Sequence, residues 1–387
     1  MAEFIAWEET WWSHITGPHQ VVRNVVETLM NKKNVILKVP HDLPWRHQMR
    51  STIWQEFKLK AETQELMVET IDVQDDCPNC TDIGSYLLRQ FGFGAVQRGF
   101  RAGGGETIQN YMLRCRILQN RIIWLKGMQV QDMHQWLDFC KGYATSDIDG
   151  GLFILECDSN FPEIKLRNFK TVDYNQSVNI YNLQTFNSMI LDSGFFKYPQ
   201  LWKKYIASLA ALLCETDAEV SEKFIKTMDF MNESPTDGLS RIAQMDAFQQ
   251  RGTDHETTHV LYLSRMGNED QLKKRIWEAQ IQVAFPIIEL ERVQFIRDWE
   301  IQISQTLQEN QIEQYGRIIQ SPIELELGTL NYNASHRGRD DNYILYIPDE
   351  EARNRLRFLH EQRNELAHCN CCTPQNLQIL FRKHGDD

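Results

Sequence analysis

Apolar residues follow two different rhythms along the chain, and the change falls near its middle. In the first half, short continuous apolar runs alternate with amphipathic stretches. Val21, Val22, Val25, Val26 and Leu29 recur at helical steps after Gly17 and Pro18, which predicts a helix of about four turns ending near Asn31. Asn34–Val39 (NVILKV), closed by Pro40, is the pattern of a strand buried on both faces. A helix is expected over 49–59, a strand over 66–73, a turn at DDCPNC and a helix over 82–91. Further strands are expected over Arg121–Lys126, 151–157 and 166–174, with a helix over 133–143 between the first two of these. Strands alternating with helices imply a parallel sheet covered by helices.

The second half keeps helical spacing throughout. Residues 198–231 predict two helices with a break at Thr216 and Asp217. Helices over 254–266 and 272–284 follow, the second ended by Pro286, and then a long amphipathic helix over 286–309. Its charges Glu289, Glu291, Arg292, Arg297 and Asp298 are expected on a solvated face. A helix over 349–368, a turn over 369–374 and a short final helix close the chain. The expected fold class is α/β plus all-α. The expected domains are an α/β domain over 1–190, a helical linker or lid over 191–270 and a helical domain over 271–387.

Composition narrows the function classes. Of 387 residues 42% are hydrophobic and 24% charged, which excludes a disordered, collagen-like or coiled-coil chain. The net charge of −12 argues against broad binding to nucleic acid or anionic membrane, though a local basic site can sit on an acidic body. No apolar run approaches the 18 or so residues of a membrane span, and MAEFIAWEETWW, with Glu3 and no basic segment, is not a signal peptide. A cytoplasmic protein without a membrane partner is expected, its nine cysteines reduced thiols.

Several clusters could carry chemistry. Cys77 and Cys80 have the spacing of half a zinc site, but a turn is the simpler reading. His255-Glu256-Thr257-Thr258-His259 is literally H-E-x-x-H, which on a helix would set two imidazoles beside a glutamate. It lacks a convincing third ligand and reads as an exposed helix start. His368, Cys369, Cys371 and Cys372 are too close in sequence to reach one ion together. Arg89–Glu106 interleaves arginines with Phe91, Phe93 and Phe100 among glycines, a pattern that fits a surface loop better than a nucleic-acid track. No metal and no cofactor are therefore expected.

The order helix, NVILKVPHDLPWRHQMRSTIWQEF, then strands near 66, 121 and 151 resembles the layout of P-loop ATPases of the AAA and STAND kind over about the first 190 residues. The resemblance implies a phosphate loop after Val39, a Mg-binding acid at the end of Arg121–Lys126, and a sensor strand over 151–157. The residues do not follow it. Pro40 to His47 contains no Gly, no Lys and two prolines that remove N–H donors, so it cannot form the cradle that GxxxxGK[ST] makes. No GK[ST] occurs in the chain, and Trp124-Leu125-Lys126-Gly127 replaces the acid. ATP hydrolysis is not expected; Arg46 and His47 are the candidates for holding nucleotide phosphates on this degenerate loop.

Arg363-Asn364-Glu365-Leu366-Ala367-His368, at the end of a charged helix, resembles the RxxxxH motif of the HEPN superfamily, and SPIELELGTLNY upstream looks like the segment that precedes such motifs. The resemblance implies a HEPN-like helical bundle and a metal-independent endoribonuclease. In it His368 would be the acid/base, Arg363 the phosphate clamp and Asn364 the residue orienting His368. It also implies RNA but not DNA as substrate, a homodimer or larger homo-oligomer that pairs two motifs in one cleft, and a bacterial anti-phage or stress setting with a protein partner encoded alongside. Arg363 lies about 140° around an ideal helix from His368, so the two do not share a face. Arg353, Arg357, His360, Asn364 and His368 do share one, a cationic row suited to an RNA backbone. The other reading is a non-catalytic protein, silent at both sites, that regulates a partner.

Overall fold

The computed structural model describes residues 6–61, 66–78, 80–101, 103–143, 150–164, 166–253, 258–338 and 342–382. The chain divides into two compact units, one of residues 1–186 with 216–219 and the other of 187–215 with 220–387.

The first unit opens with α1 (Trp7–His14), where the apolar pattern assigns no element, and α2 (Thr16–Met30). It continues through β1 (Asn34–Val39), α3 (Arg46–Ala61), β2 (Met67–Asp72), α4 (Val73–Asp76), α5 (Ile83–Phe91), α6 (Gly94–Gly99) and α7 (Ile108–Arg114). Then come β3 (Arg121–Lys126), α8 (Val130–Gly142), β4 (Leu152–Asp158), β5 (Phe169–Asp173) and α9 (Tyr174–Ser177). α10 (Ile180–Asp192) begins in this unit and ends in the next. The five strands form one parallel sheet in the order β2-β3-β4-β1-β5, as the alternation of elements predicts. β1, β3 and β4 are buried almost throughout because helices cover both their faces, whereas β2 at the edge is largely open. Asn34 ties the two central strands, its Oδ1 accepting the Phe153 N–H at 2.9 Å.

At the carboxyl ends of β1 and β4 the onward connections run in opposite directions across the sheet, β1 toward β2 and β4 toward β5. Such a switch point is the usual ligand crevice of an open α/β sheet.

The second unit is helical, with one small hairpin. α11 (Gln200–Cys214) and α12 (Ala218–Thr227) are separated at Glu215–Asp217, as the sequence predicts. α13 (Pro235–Ala243) and α14 (Val260–Arg265) follow, then α15 (Glu269–Asp298) and α16 (Glu300–Glu309). The strands β6 (Glu313–Gln314) and β7 (Arg317–Ile318) pair antiparallel before α17 (Leu327–Ser335), α18 (Glu350–Ala367) and α19 (Pro374–Phe381).

Two expectations fail in α15. Pro286 does not end a helix but lies inside it. Pro286 is exposed, so the bond it removes falls on the solvent side, while Val283, Ala284, Ile287 and Ile288 carry the buried face straight through. The helix ends instead at Trp299. Glu291 is not on a solvated face either: it is buried, and its carboxylate receives the Arg355 guanidinium of α18, which also donates to the Ile379 carbonyl at 3.0 Å.

Among the described residues no helix is long and apolar enough to cross a membrane, and no three His, Cys, Asp or Glu side chains gather as metal ligands. His255 and Glu256 lie outside the described residues; His259 caps α14, its Nδ1 accepting the Leu261 N–H at 3.2 Å. Burial pushes the Cys77 thiol up to about 12, away from the thiolate a metal needs. In the glycine-rich stretch Phe91 is buried and Phe100 stacks obliquely on Tyr111, with Phe93, Arg98 and Arg101 exposed.

Candidate active site

α18 starts at Asp349, whose carboxylate accepts the N–H groups of Glu351 at 2.8 Å and Ala352 at 3.3 Å. Its apolar residues Leu356, Leu359 and Leu366 are buried. The helix stops because Cys369 adopts a left-handed conformation (φ 60°), so that the Cys369 N–H returns to the Leu366 carbonyl and the Asn370 N–H to that of Glu365. This leaves His368 at the helix end with its ring exposed and without a hydrogen-bond partner among the described residues.

α15 holds that turn in place. Trp277 Nε1 donates to the Leu366 carbonyl at 2.7 Å. The buried Gln280 amide clasps the Cys372 backbone, accepting its N–H at 2.7 Å and donating to its carbonyl at 3.0 Å. Cys371 donates its thiol to the Lys273 carbonyl, and burial raises it to about 11. Gln280→Ala leaves two buried backbone groups unpaired and is expected to cost about 2–4 kcal/mol, read as a shifted midpoint in chemical denaturation; an unchanged midpoint would show that water replaces the clasp.

One turn and more before the helix end, side chains converge. His360 Nε2 lies 3.0 Å from Asn364 Nδ2, and His360 Nδ1 lies 3.2 Å from Asn331 Nδ2 on α17. Arg363 Nη1 donates to Asn364 Oδ1 at 3.4 Å. With its oxygen on that cation, the Asn364 amide offers N–H to Nε2, which makes Nε2 the lone-pair nitrogen of a neutral ring; Nδ1 then carries the proton and donates, which requires the Asn331 amide to turn its oxygen toward it. Burial, followed by the positive charge of Arg363, holds the His360 imidazole below its ordinary range, while Glu361 pulls the other way. Once the Asn364 N–H releases Nε2, a neutral imidazole beside a guanidinium can take a proton next to a place where negative charge is stabilised.

Arg363 faces a cavity of about 290 Å³ formed with Glu289, Arg292, Ile323, Glu324, Glu326 and Leu327. Arg292 is held by Glu289 at 2.8 Å and by the carbonyls of Ile323 and Leu325, so Arg363 is the less restrained cation there. Its nearest counter-ion, Glu326, is 3.8 Å away. No family model matches this chain, and no curated protein matches it.

The motif residues thus occupy one helix but not one point. Asn364 turns to His360, four residues before it, and not to His368, four residues after it. In the cationic row Arg357 is exposed, whereas Arg353 donates to the Ile347 carbonyl. Asn331 and Glu326 lie in the SPIELELGTLNY segment, which the sequence marks only as a whole; neither is singled out as a site residue, because both reach α18 from about 30 residues upstream or more.

At the switch point of the sheet, the loop after β1 closes on the chain's own carboxylates. Arg46 Nη1 meets Glu156 at 2.6 Å, and its other nitrogen donates to the carbonyls of Pro40 and His41. Arg50, one turn later, reaches Glu156 through Nε at 2.9 Å and Nη2 at 2.7 Å, and Trp124 Nε1 donates to the same carboxylate at 2.9 Å. Glu156 is 3% exposed. Burial alone would raise its carboxyl, yet the guanidiniums of Arg50 and Arg46 hold it below the usual range. The Trp45 N–H, a free donor at the head of α3, is taken by Glu219 at 2.9 Å. His47 is exposed. Glu156 and Arg50 were missed, although a single acid inside GLFILEC has to find buried partners.

Proposed function

We propose that the second unit is a metal-independent endoribonuclease of HEPN type and that the first is a P-loop-like scaffold without ATP turnover. The observation that carries the reading is the run from Arg363 through Asn364 to the lone-pair nitrogen of His360, a charged group and a proton acceptor linked by one amide. In the reaction a histidine removes the proton of a ribose 2'-hydroxyl, the oxygen attacks the adjacent phosphorus, and the bond to the 5'-oxygen breaks. A second, protonated histidine returns a proton to that oxygen, leaving a 2',3'-cyclic phosphate and a 5'-hydroxyl. Arg363 offsets the charge that builds on the phosphate oxygens.

His360 and His368 are eight residues apart, about 12 Å along the helix axis, too far for both to serve one phosphate within one chain. A dimer that brings His368 of one copy to Arg363 and His360 of the other supplies both proton-transfer groups. Incubating the purified protein with total RNA in EDTA tests the activity. Cleavage leaving cyclic phosphate ends is expected; a requirement for divalent metal, or equal cutting of DNA, rejects it.

The layout of the first unit, a central β1 with a loop and helix leaving its carboxyl end, supports the P-loop-like reading. The occupation of Arg46, Arg50 and the Trp45 N–H by Glu156 and Glu219 supports the absence of turnover. Phosphate release from ATP is expected to stay at background; release that vanishes in Arg46→Ala would overturn this. One observation favours the non-catalytic alternative. Glu326 beside Arg363 provides an internal counter-ion, and a protein that regulates a partner would keep it.

A further inference from the structure

We infer that Tyr315 and Tyr332 are stacking platforms for bases of an unpaired RNA strand crossing the His360–Arg363 cluster; the inference rests on the ribonuclease reading above and names the form of its substrate. The two rings are exposed by 81% and 54% and sit on different elements, Tyr315 hydrogen-bonded to the counter-ion of Arg363 and Tyr332 next in the chain to the partner of His360.

Tyr315 occupies the turn between β6 and β7 in a left-handed conformation (φ 50°). Its hydroxyl donates to Glu326 at 2.9 Å, the carboxylate that faces Arg363. The turn is fixed to the start of α17 by Gln314, whose Oε1 accepts the Glu326 N–H at 3.2 Å and the Thr329 hydroxyl at 2.7 Å. Tyr332 follows Asn331, the partner of His360, and its ring already stacks on His336 at 3.9 Å between centroids with 20° between planes. From Glu326 to Tyr332 is about 9 Å along the helix. A tyrosine that is open to solvent yet held by neighbours loses little freedom when a base settles on it. Every base has a π-face, but only an unpaired strand can present it, since a duplex keeps its bases stacked inside. The exposed Arg357, which has no partner among the described residues, is one turn before His360 and offers a phosphate contact.

The test uses the full chain and a labelled 2'-O-methyl oligoribonucleotide, which lacks the attacking hydroxyl and so binds without being cut, in single-stranded and duplex forms. Fluorescence anisotropy should show tighter binding of the single strand. Tyr315→Ala and Tyr332→Ala should each weaken it by roughly five- to 150-fold, while Tyr315→Phe and Tyr332→Phe keep the ring and keep the affinity. Circular dichroism on the same variants separates loss of stacking from loss of fold. Alanine variants that are folded and bind normally, duplex bound as tightly as single strand, or neither form bound, each overturn the inference. If unmodified RNA is cleaved while the alanine variants bind normally, the ribonuclease reading stands and this one falls. Tyrosine-dependent binding without cleavage keeps the platform and rejects the nuclease.

Discussion

His360→Ala, Arg363→Ala and His368→Ala are each expected to lower RNA cleavage by about a hundred- to ten-thousandfold, the range that general acid–base and electrostatic catalysis contribute. The fold should survive. His368 is exposed, Arg363 and His360 are half-buried, and His360 is held by two amides, one from α17 and one from α18. A histidine held below its ordinary range stays neutral at lower pH, so the acid limb of the wild-type rate profile should fall below the free imidazole value near 6.5. Arg363→Ala removes one of the causes of that shift and should move the limb up in whatever activity remains. Mixing inactive His360→Ala with inactive His368→Ala supplies a sharper check. If the cleft takes one histidine from each copy, half the dimers are mixed and each holds one intact cleft of two, so roughly a quarter of wild-type activity should return. Variants that cut RNA at the wild-type rate would end the assignment, and a mixture that stays dead would reject the cleft shared between copies.

The largest effect on stability is expected at Glu156. Its removal leaves Arg46 and Arg50 facing each other without a counter-charge and strips Trp124 Nε1 of its acceptor. Breaking a buried ion pair from one side costs about 3–5 kcal/mol. Partial exposure of both arginines lets water recover some of this, so Glu156→Ala should lose about 3 kcal/mol. Because the carboxyl binds its proton more weakly in the folded chain than in the unfolded one, the triad contributes fully above the unfolded range near pH 4.3 and is lost as pH falls through the lower folded value. Denaturant titrations of wild type and Glu156→Ala should therefore converge on acidification below that range. Equal stability at neutral pH would mean that the triad is replaceable by solvent.

Position 156 also marks how far the sequence can be read. GLFILEC announces a buried strand through its apolar run, and the strand forms over Leu152–Asp158. The carboxylate within it needs cations, but nothing local names them, since Arg46 and Arg50 arrive from more than 100 residues earlier in the chain. The same holds at α18. Helix, cap and motif are legible from Asp349 to His368, because they depend on neighbours within a turn or two. That Asn364 serves His360 is decided by Arg363 beside it and by Asn331 coming from another helix.

Pro286 shows the opposite error, in which a local rule is overridden. Proline forfeits one hydrogen bond, and the expectation of a break treats that loss as decisive. In α15 the lost bond is on the wet side, and a buried face that continues before and after it outweighs the cost. By itself, then, the sequence determined the five strands of the sheet but not the β6–β7 hairpin, together with the parallel arrangement of the sheet, most helices and the helix end that carries the motif, because periodicity and capping act over a few residues. The tertiary structure alone decided which charges are satisfied internally, which histidine is held neutral and which tyrosines stay open, because those outcomes depend on partners brought together from distant parts of the chain.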